Sequence, residues 1–301
     1  MKAGLRVLAS VLWLCAAVSV VRADAPAQRL PSALLIYPYI VADGVNDTRI
    51  ELLNLSRLPR TLHCFFVDGD TCSGTNFYMS LTPNQPISWL ASQGTVNNKT
   101  FSAAPPFFGT GELKCLVEPP LPDVEQHNTV QGRAIVFGSD GQTVGYSAVG
   151  FQRLSPGEVT DDVTLSLDGS EYAQCPDELR FAFLASNAGS QSEIILVPCS
   201  QDLLNVIPTR TTVQFKLINE FEQVLSASLI IECFEQRRLE EISNVFREEN
   251  LGTVTGQVVV RGVQVPLLGM IIDRFSVGAN AATAANEPFL RGGRSATVSL
   301  P

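Results

Sequence analysis

Catalytic side chains are scarce in this sequence. Its 301 residues include two histidines, two tryptophans and three methionines, and only 17% of side chains are charged. Histidine is the commonest general base and a frequent zinc ligand, so either chemistry would have to draw on His63 or His127. His63 lies inside the apolar stretch TLHCFFV, with no acidic neighbour close in sequence, and reads as a strand-face histidine. His127 falls in the polar segment PDVEQHNT and is expected in solvent. There is no HExxH, P-loop or dinucleotide fingerprint. GYSAVG (145–150) has the wrong spacing for a nucleophile elbow and is flanked by strand on both sides, so Ser147 reads as structural. On this reading no catalytic, cofactor-binding or metal-ligating residue is assigned, and the chain is not expected to be an enzyme.

Long apolar runs are equally scarce. One lies near the start, where Lys2 and Arg6 precede Val7 to Val21 and the run ends in Val21-Arg22-Ala23, the pattern of a signal peptide cleaved near Ala23. Its 15 residues fall short of the roughly 20 needed to span a bilayer. Cys15 follows Leu14, where a lipoprotein site wants a small residue, which argues against lipidation. No later stretch is long enough to span, so the expected product is secreted, periplasmic or extracellular, without a transmembrane segment. Cleavage leaves 18 basic against 30 acidic side chains. With no basic stripe to displace counterions, nucleic acid is not an expected partner.

What the sequence does have is a repeat. ALLIYPYIVADGVNDTRIELLNLS (33–56) matches ELRFAFLASNAGSQSEIILVPCS (178–200), each an apolar strand, a polar turn and a second apolar strand. TLHCFFVDGD (61–70) then matches TVQFKLINEF (212–221), so one fold is used twice. In the second copy Val213, Phe215 and Leu217 alternate with Gln214 and Lys216, the period of a strand with one face in a core. Further strands are expected at 77–82, 112–118, 132–137, 144–152, 226–234, 254–262 and 266–275. This spacing, with Gly, Pro and Asn turns between, indicates an all-β chain of two tandem β-sandwich domains. The helical signals are QRRLEEISNVFREEN (236–250), with Leu239, Ile242 and Phe246 on one face and Arg237 able to pair with Glu241, and a shorter turn at 200–206 with Ser200 as N-cap. The expected organisation is a signal peptide (1–23), domain 1 (24–154), a polar acidic linker (155–174), domain 2 (175–276) and a Gly-rich C-terminal tail (277–301), in which ATVSL could add an edge strand.

Beyond the signal peptide there are six cysteines, an even count that suggests disulfides in a secreted chain. Cys175 and Cys199 are equidistant from Asn187, so a hairpin about the turn SNAGS would bring them together. Cys64 has two candidate partners, Cys72 and Cys115, and Cys233 reads equally as a buried thiol or an interdomain bridge.

Binding candidates are few. Asp68, Asp70 and nearby oxygens in VDGDTCSGTN superficially resemble a calcium loop, but Cys72 stands where an acidic ligand is wanted, and an ordinary Asp-Gly turn is favoured. Asp161, Asp162 and Asp168 read as solvated linker carboxylates. Phe107 and Phe108 follow Pro105 and Pro106 in a loop, where rings either plug the open end of a sandwich or anchor a partner, with plugging favoured. Tyr37 and Tyr39, on one face of the first strand, and Trp89 are further aromatic candidates, for which packing into the sandwich is likewise favoured over stacking on a sugar. Asn46, Asn54 and Asn98 sit in formal glycosylation sequons that matter only in a eukaryotic source.

LLIYPYI followed by TRIELLNLS and the Cys-bearing RTLHCFFV resembles the opening strands of bacterial immunoglobulin-like domains, including periplasmic pilus chaperones of the PapD type. With TTVQFKLINEFEQ and GELKCLVE, the whole pattern is similar to a group of uncharacterised secreted bacterial tandem β-sandwich proteins. The resemblance implies fold and compartment. The chaperone family's basic pair for a subunit carboxylate has no matching motif here. The expected function is that of a non-enzymatic secreted or envelope protein presenting sandwich loops or edge strands to a protein partner or surface. The alternatives are a glycan- or calcium-binding module and a periplasmic chaperone-like protein.

Overall fold

The computed structural model describes residues 30–95, 103–118, 124–138, 141–155, 164–277 and 280–300. The signal-peptide segment, Asn98, Asp161 and Asp162 lie outside these. The first repeat comprises β1 (Leu34–Ala42), β2 (Asp47–Asn54), β3 (Arg60–Asp68), β4 (Gly74–Leu81), β5 (Pro86–Leu90), β6 (Gly109–Val117), a single turn α1 (Val124–His127), β7 (Val130–Phe137), β8 (Thr143–Ser147) and β9 (Val149–Phe151). Its strands form two layers, β4-β3-β6-β1-β9 and β5-β2-β7-β8, joined where Ala42 of β1 pairs with Asp47 of β2. Pro38, which has no N–H to give to a ladder, sits in the register shift between Tyr37 and Ile40.

After β10 (Thr164–Leu167) the second repeat runs through β11 (Glu178–Leu184), β12 (Ser190–Pro198), β13 (Gln201–Asp202), β14 (Arg210–Asn219), β15 (Val224–Glu232) and β16 (Glu235–Arg238). The short helices α2 (Leu239–Ile242) and α3 (Glu248–Leu251) precede β17 (Thr255–Gly262), β18 (Leu267–Val277), β19 (Asn280–Asn286), β20 (Phe289–Arg291) and β21 (Ala296–Ser299). Its layers are β15-β14-β17-β11-β20 and β16-β12-β18-β19. Each neighbour relation within the layers of the first repeat therefore recurs in the second, with β11 in the place of β1 and β20 in the place of β9. The duplication extends to side chains. Asp43 Oδ1 accepts from the backbone N–H groups of Val45 and Asn46, and Asn187 Oδ1 accepts from those of Gly189 and Ser190. Thr48 Oγ1 bridges the backbone N and O of Val41, and Ser192 Oγ bridges those of Leu184.

The sandwiches are fused face to face. β12 shows how, because Ile194, Ile195, Leu196 and Val197 are all fully buried. Ile194 and Leu196 point into the second core with Phe181, Phe183, Phe215 and Ile271. On the other face Ile195, Met270 and Ile272 join the first repeat's core, while Val197 and Leu268 pack with Leu34, Ile36, Phe65, Val67 and Leu116. The outermost layers carry Arg49, Glu51 and Arg133 at one end of the stack and Gln214, Lys216 and Arg261 at the other. Each repeat thus spends one apolar outer face on its neighbour and turns a polar one to water, as terminal units of a stack must. A small sheet, β10-β21-β13, closes the side of this junction.

Several expectations need correction. The segment 277–301 is no tail, since β19, β20 and β21 are all paired and β21 is the central strand of its sheet. The described part of the supposed linker contains β10 and the buried Tyr172, so it too is built into the fold. β11 and β12 are not a hairpin, because they lie in different layers. Cys175 and Cys199 are nonetheless bonded, with Cα atoms 6.5 Å apart, across those layers' ends. Cys64 pairs with Cys115 directly opposite it on β6, and Cys72 pairs with Cys233, linking the two repeats. Three disulfides fit an oxidising compartment. Among the described residues no helix is long and apolar enough to cross a membrane.

The single helix expected over 236–250 is broken. Its first residues join β16, where Arg237 pairs with Glu235 at 2.8 Å and not with Glu241. Extended backbone at Ser243 and Arg247 then splits the rest, which lets Leu239, Phe246 and Leu251 all turn into the core. Ser243, Asn244 and Val245 are weak helix formers, so the tertiary contacts prevail. The segment 200–206 begins as β13, and Ser200 Oγ accepts from the backbone of Thr297, not from a helix start.

Candidate functional site

The two loop phenylalanines have opposite fates. Phe107 is 7% exposed and stacks on Phe66 with ring centroids 5.0 Å apart, while its backbone N–H donates to Ala91. Phe108, one residue on, is 69% exposed. Phe107 is therefore a plug and not a partner anchor, as the alternation of an extended chain requires of adjacent residues. The equivalent loop of the second repeat uses Phe246 in the same way, set edge-on against Phe183 and Phe215.

The other aromatic candidates are inside the protein. Tyr37 is fully buried and donates to the backbone of Glu51; burial raises its pKa far above the ordinary phenol value. Tyr39 accepts from Gln236 across the repeat junction, with burial pushing its pKa up to about 12. Trp89 is 5% exposed. None can stack on a sugar. Asn54, fully buried, cannot take a glycan.

His127 is also buried, at 1% exposure, contrary to its polar sequence context, because α1 turns it inward. His63 stacks on Tyr78 at 4.2 Å, with Glu118 3.6 Å from Nδ1. Burial nevertheless lowers its pKa below the ordinary imidazole value, so desolvation outweighs that carboxylate. With the folded-state pKa depressed, the unfolded chain binds the proton better. Stability is then expected to fall as pH drops through the unfolded histidine value of about 6.5. Urea midpoints between pH 8 and pH 5 would register this, and His63→Asn should remove that part of the slope; an unchanged slope would show that other groups carry it.

The acidic candidates serve their own turns. Asp68 Oδ1 accepts from Thr71 N and Thr71 Oγ1, each at 2.7 Å, and Cys72 in that turn is tied to Cys233. Asp168 binds Ser170 likewise, and its hydrogen bonds hold its pKa below the usual carboxylate value although partial burial works the other way. Among the described residues no group of three or more His, Cys, Asp or Glu is placed to hold a metal. Ser147 ends β8, its N–H donating to Glu287. The groove over β2, β5 and β7, about 550 Å³, is lined by Arg49, Glu51, Ile87 and Arg133. Its charges are internally paired, Glu51 to Arg133 at 2.5 Å and to Arg49 at 3.4 Å.

Two features remain. One is the outer edge of β15, whose only strand partner among the described residues is β14. The sequence VLSASLIIE contains no Lys, Arg or Pro, with Val224 and Ile230 exposed and Phe221, in the preceding turn, 71% exposed. The other is polar and buried. Glu112 and Lys114 share one face of β6 and are each 1% exposed; Lys114 Nζ contacts Glu112 Oε2, and Gln201 Nε2 of β13 donates to Glu112 Oε1. The alternation Glu-Leu-Lys-Cys reads as a half-solvated strand, so nothing local revealed this cluster. Its burial comes from the second repeat, which covers that face.

The strand order defines a tandem all-β sandwich protein. No protein-family model, curated protein or solved structure matches the chain.

Proposed function

We propose that this chain is a non-enzymatic secreted or envelope interaction protein whose immunoglobulin-like sandwiches present an edge strand and loops to a protein partner. The observation that carries the reading is β15. Open edges offer unpaired backbone donors and acceptors, and natural proteins blunt them with charge, proline or a covering element. Here the eight residues from Val224 to Ile231 lack such a guard before Glu232, and the exposed Phe221 and Val224 supply apolar contacts at one end. An added strand would gain backbone hydrogen bonds along the edge and side-chain specificity from those residues. Phe108, exposed beside the first repeat's plug, is a second contact of the same kind.

A photo-crosslinking residue placed at Ser228 on the β15 edge, with the same probe at Arg133 on the outer face of the first repeat as control, tests this in the native envelope fraction. A discrete adduct from position 228 and none from 133 is expected, and Ile230→Lys with the probe retained should reduce it at least tenfold. Equal labelling at both positions, or turnover of a glycan or peptide library by the purified protein, would overturn the reading.

A further inference from the structure

Glu112, Lys114 and Gln201 bring an amine, a carboxylate and a carboxamide together where water is excluded. In register, Lys114 lies between Ile36 of β1 and Phe65 of β3, and Glu112 faces Val67; all three apolar neighbours are buried. Gln201 reaches in from β13, itself beside the buried Val298, and is 6% exposed. Among the described residues Gln201 Oε1 has no hydrogen-bond partner, and the polar group against Lys114 Nζ is the Glu112 carboxylate. A buried ion pair of this kind carries a large desolvation cost and is weak as a source of stability. The arrangement has a more specific use. One carboxylate oxygen lies against the amine nitrogen and the other against the amide nitrogen, so a proton taken from the amine can be handed to the amide nitrogen once the carboxyl group turns over.

We propose that Lys114 and Gln201 join in an intramolecular isopeptide bond, with Glu112 moving the proton. Lys114 Nζ, as the neutral amine, attacks Gln201 Cδ, and its proton passes to Glu112. The new Nζ–Cδ bond forms as the Cδ–Nε2 bond breaks, and Nε2 leaves as ammonia after receiving the proton from Glu112. Atoms and charge balance, and no oxidant or external reactant is needed. Burial supports the first step, since desolvation lowers the Lys114 pKa and favours the neutral nucleophile. The product replaces a buried, ionisable amine with a neutral amide. It also ties β6 of the first repeat to β13 by a link that, unlike Cys72–Cys233, survives reduction.

Mass spectrometry of the full secreted chain after complete disulfide reduction reads this directly. The wild type is expected to be lighter than its sequence by one ammonia, and proteolysis should yield a branched peptide joining the segments that contain Lys114 and Gln201. Glu112→Gln and Lys114→Arg should each lose the branched peptide and show the full mass. A wild-type chain at full mass, or ammonia loss that maps elsewhere, overturns the proposal whether or not the variants fold. Full cross-linking in Glu112→Gln would remove Glu112 from the step.

Discussion

Replacing Phe215 by alanine is expected to destabilise the protein by about 3 to 5 kcal/mol, whereas Lys216→Ala, one residue along β14, should stay within about 0.5 kcal/mol. Phe215 is 1% exposed and lies between Val260 and Ala227 in register, with the Phe246 ring edge-on at 5.9 Å. Truncation would leave a cavity that neighbours on three strands and a loop cannot all close, and the cost follows from the transfer free energy lost plus the unfilled volume. Lys216 faces water on the opposite side of the strand, so its loss leaves no cavity. Denaturant titration followed by circular dichroism would show the difference as a shift in midpoint. Equal shifts for the two variants would mean that the inward and outward faces of β14 are assigned the wrong way round.

The alternation around Phe215 also shows why so much of the fold is legible in the sequence. Val213, Phe215 and Leu217 are buried as their period requires, and the repeat of 33–56 in 178–200 corresponds to the same pair of strands in the two topologies. Period and turn chemistry are local, and Asp43 and Asn187 determine their turns from within a few residues. What local pattern cannot convey is which layer a strand joins. The segments flanking SNAGS read as a hairpin, yet each finds its partners far away in sequence, β11 with β17 and β12 with β18. The same limit hides the junction. Glu112, Lys114, Cys72 and Cys233 acquire their environment from the other repeat, and β19, β20 and β21 complete sheets begun about 90 to 130 residues earlier, while their small Ala- and Gly-rich side chains gave little amphipathic signal.

At the loop end of the first repeat, Phe107→Ala is expected to cost about 3 to 5 kcal/mol and Phe108→Ala less than about 0.5 kcal/mol. Adjacency in sequence suggested a shared role for the two rings, but the chain entering β6 turns them to opposite sides. Phe107 closes the sandwich over Phe66, and Ala104 and Ala91 belong to the same buried cluster. Phe246 occupies the corresponding position in the second repeat, where a different loop with two short helices delivers the ring. The same end of the fold must therefore be filled twice, and the sequence solves this with unrelated loops. Phe108, by contrast, is held at the surface between Phe107, which is fixed by its contacts, and Gly109, whose φ of 106° few side chains could adopt. An exposed ring on restrained backbone loses little entropy on docking, which suits it to a contact with a partner. The two variants then separate stability from binding. Phe108→Ala should retain the wild-type unfolding midpoint and lose partner capture from the envelope fraction, whereas Phe107→Ala should lower the midpoint. If Phe108→Ala keeps every captured partner, Phe108 is no contact; if Phe107→Ala leaves the midpoint unchanged, that end of the sandwich is closed by something other than this ring.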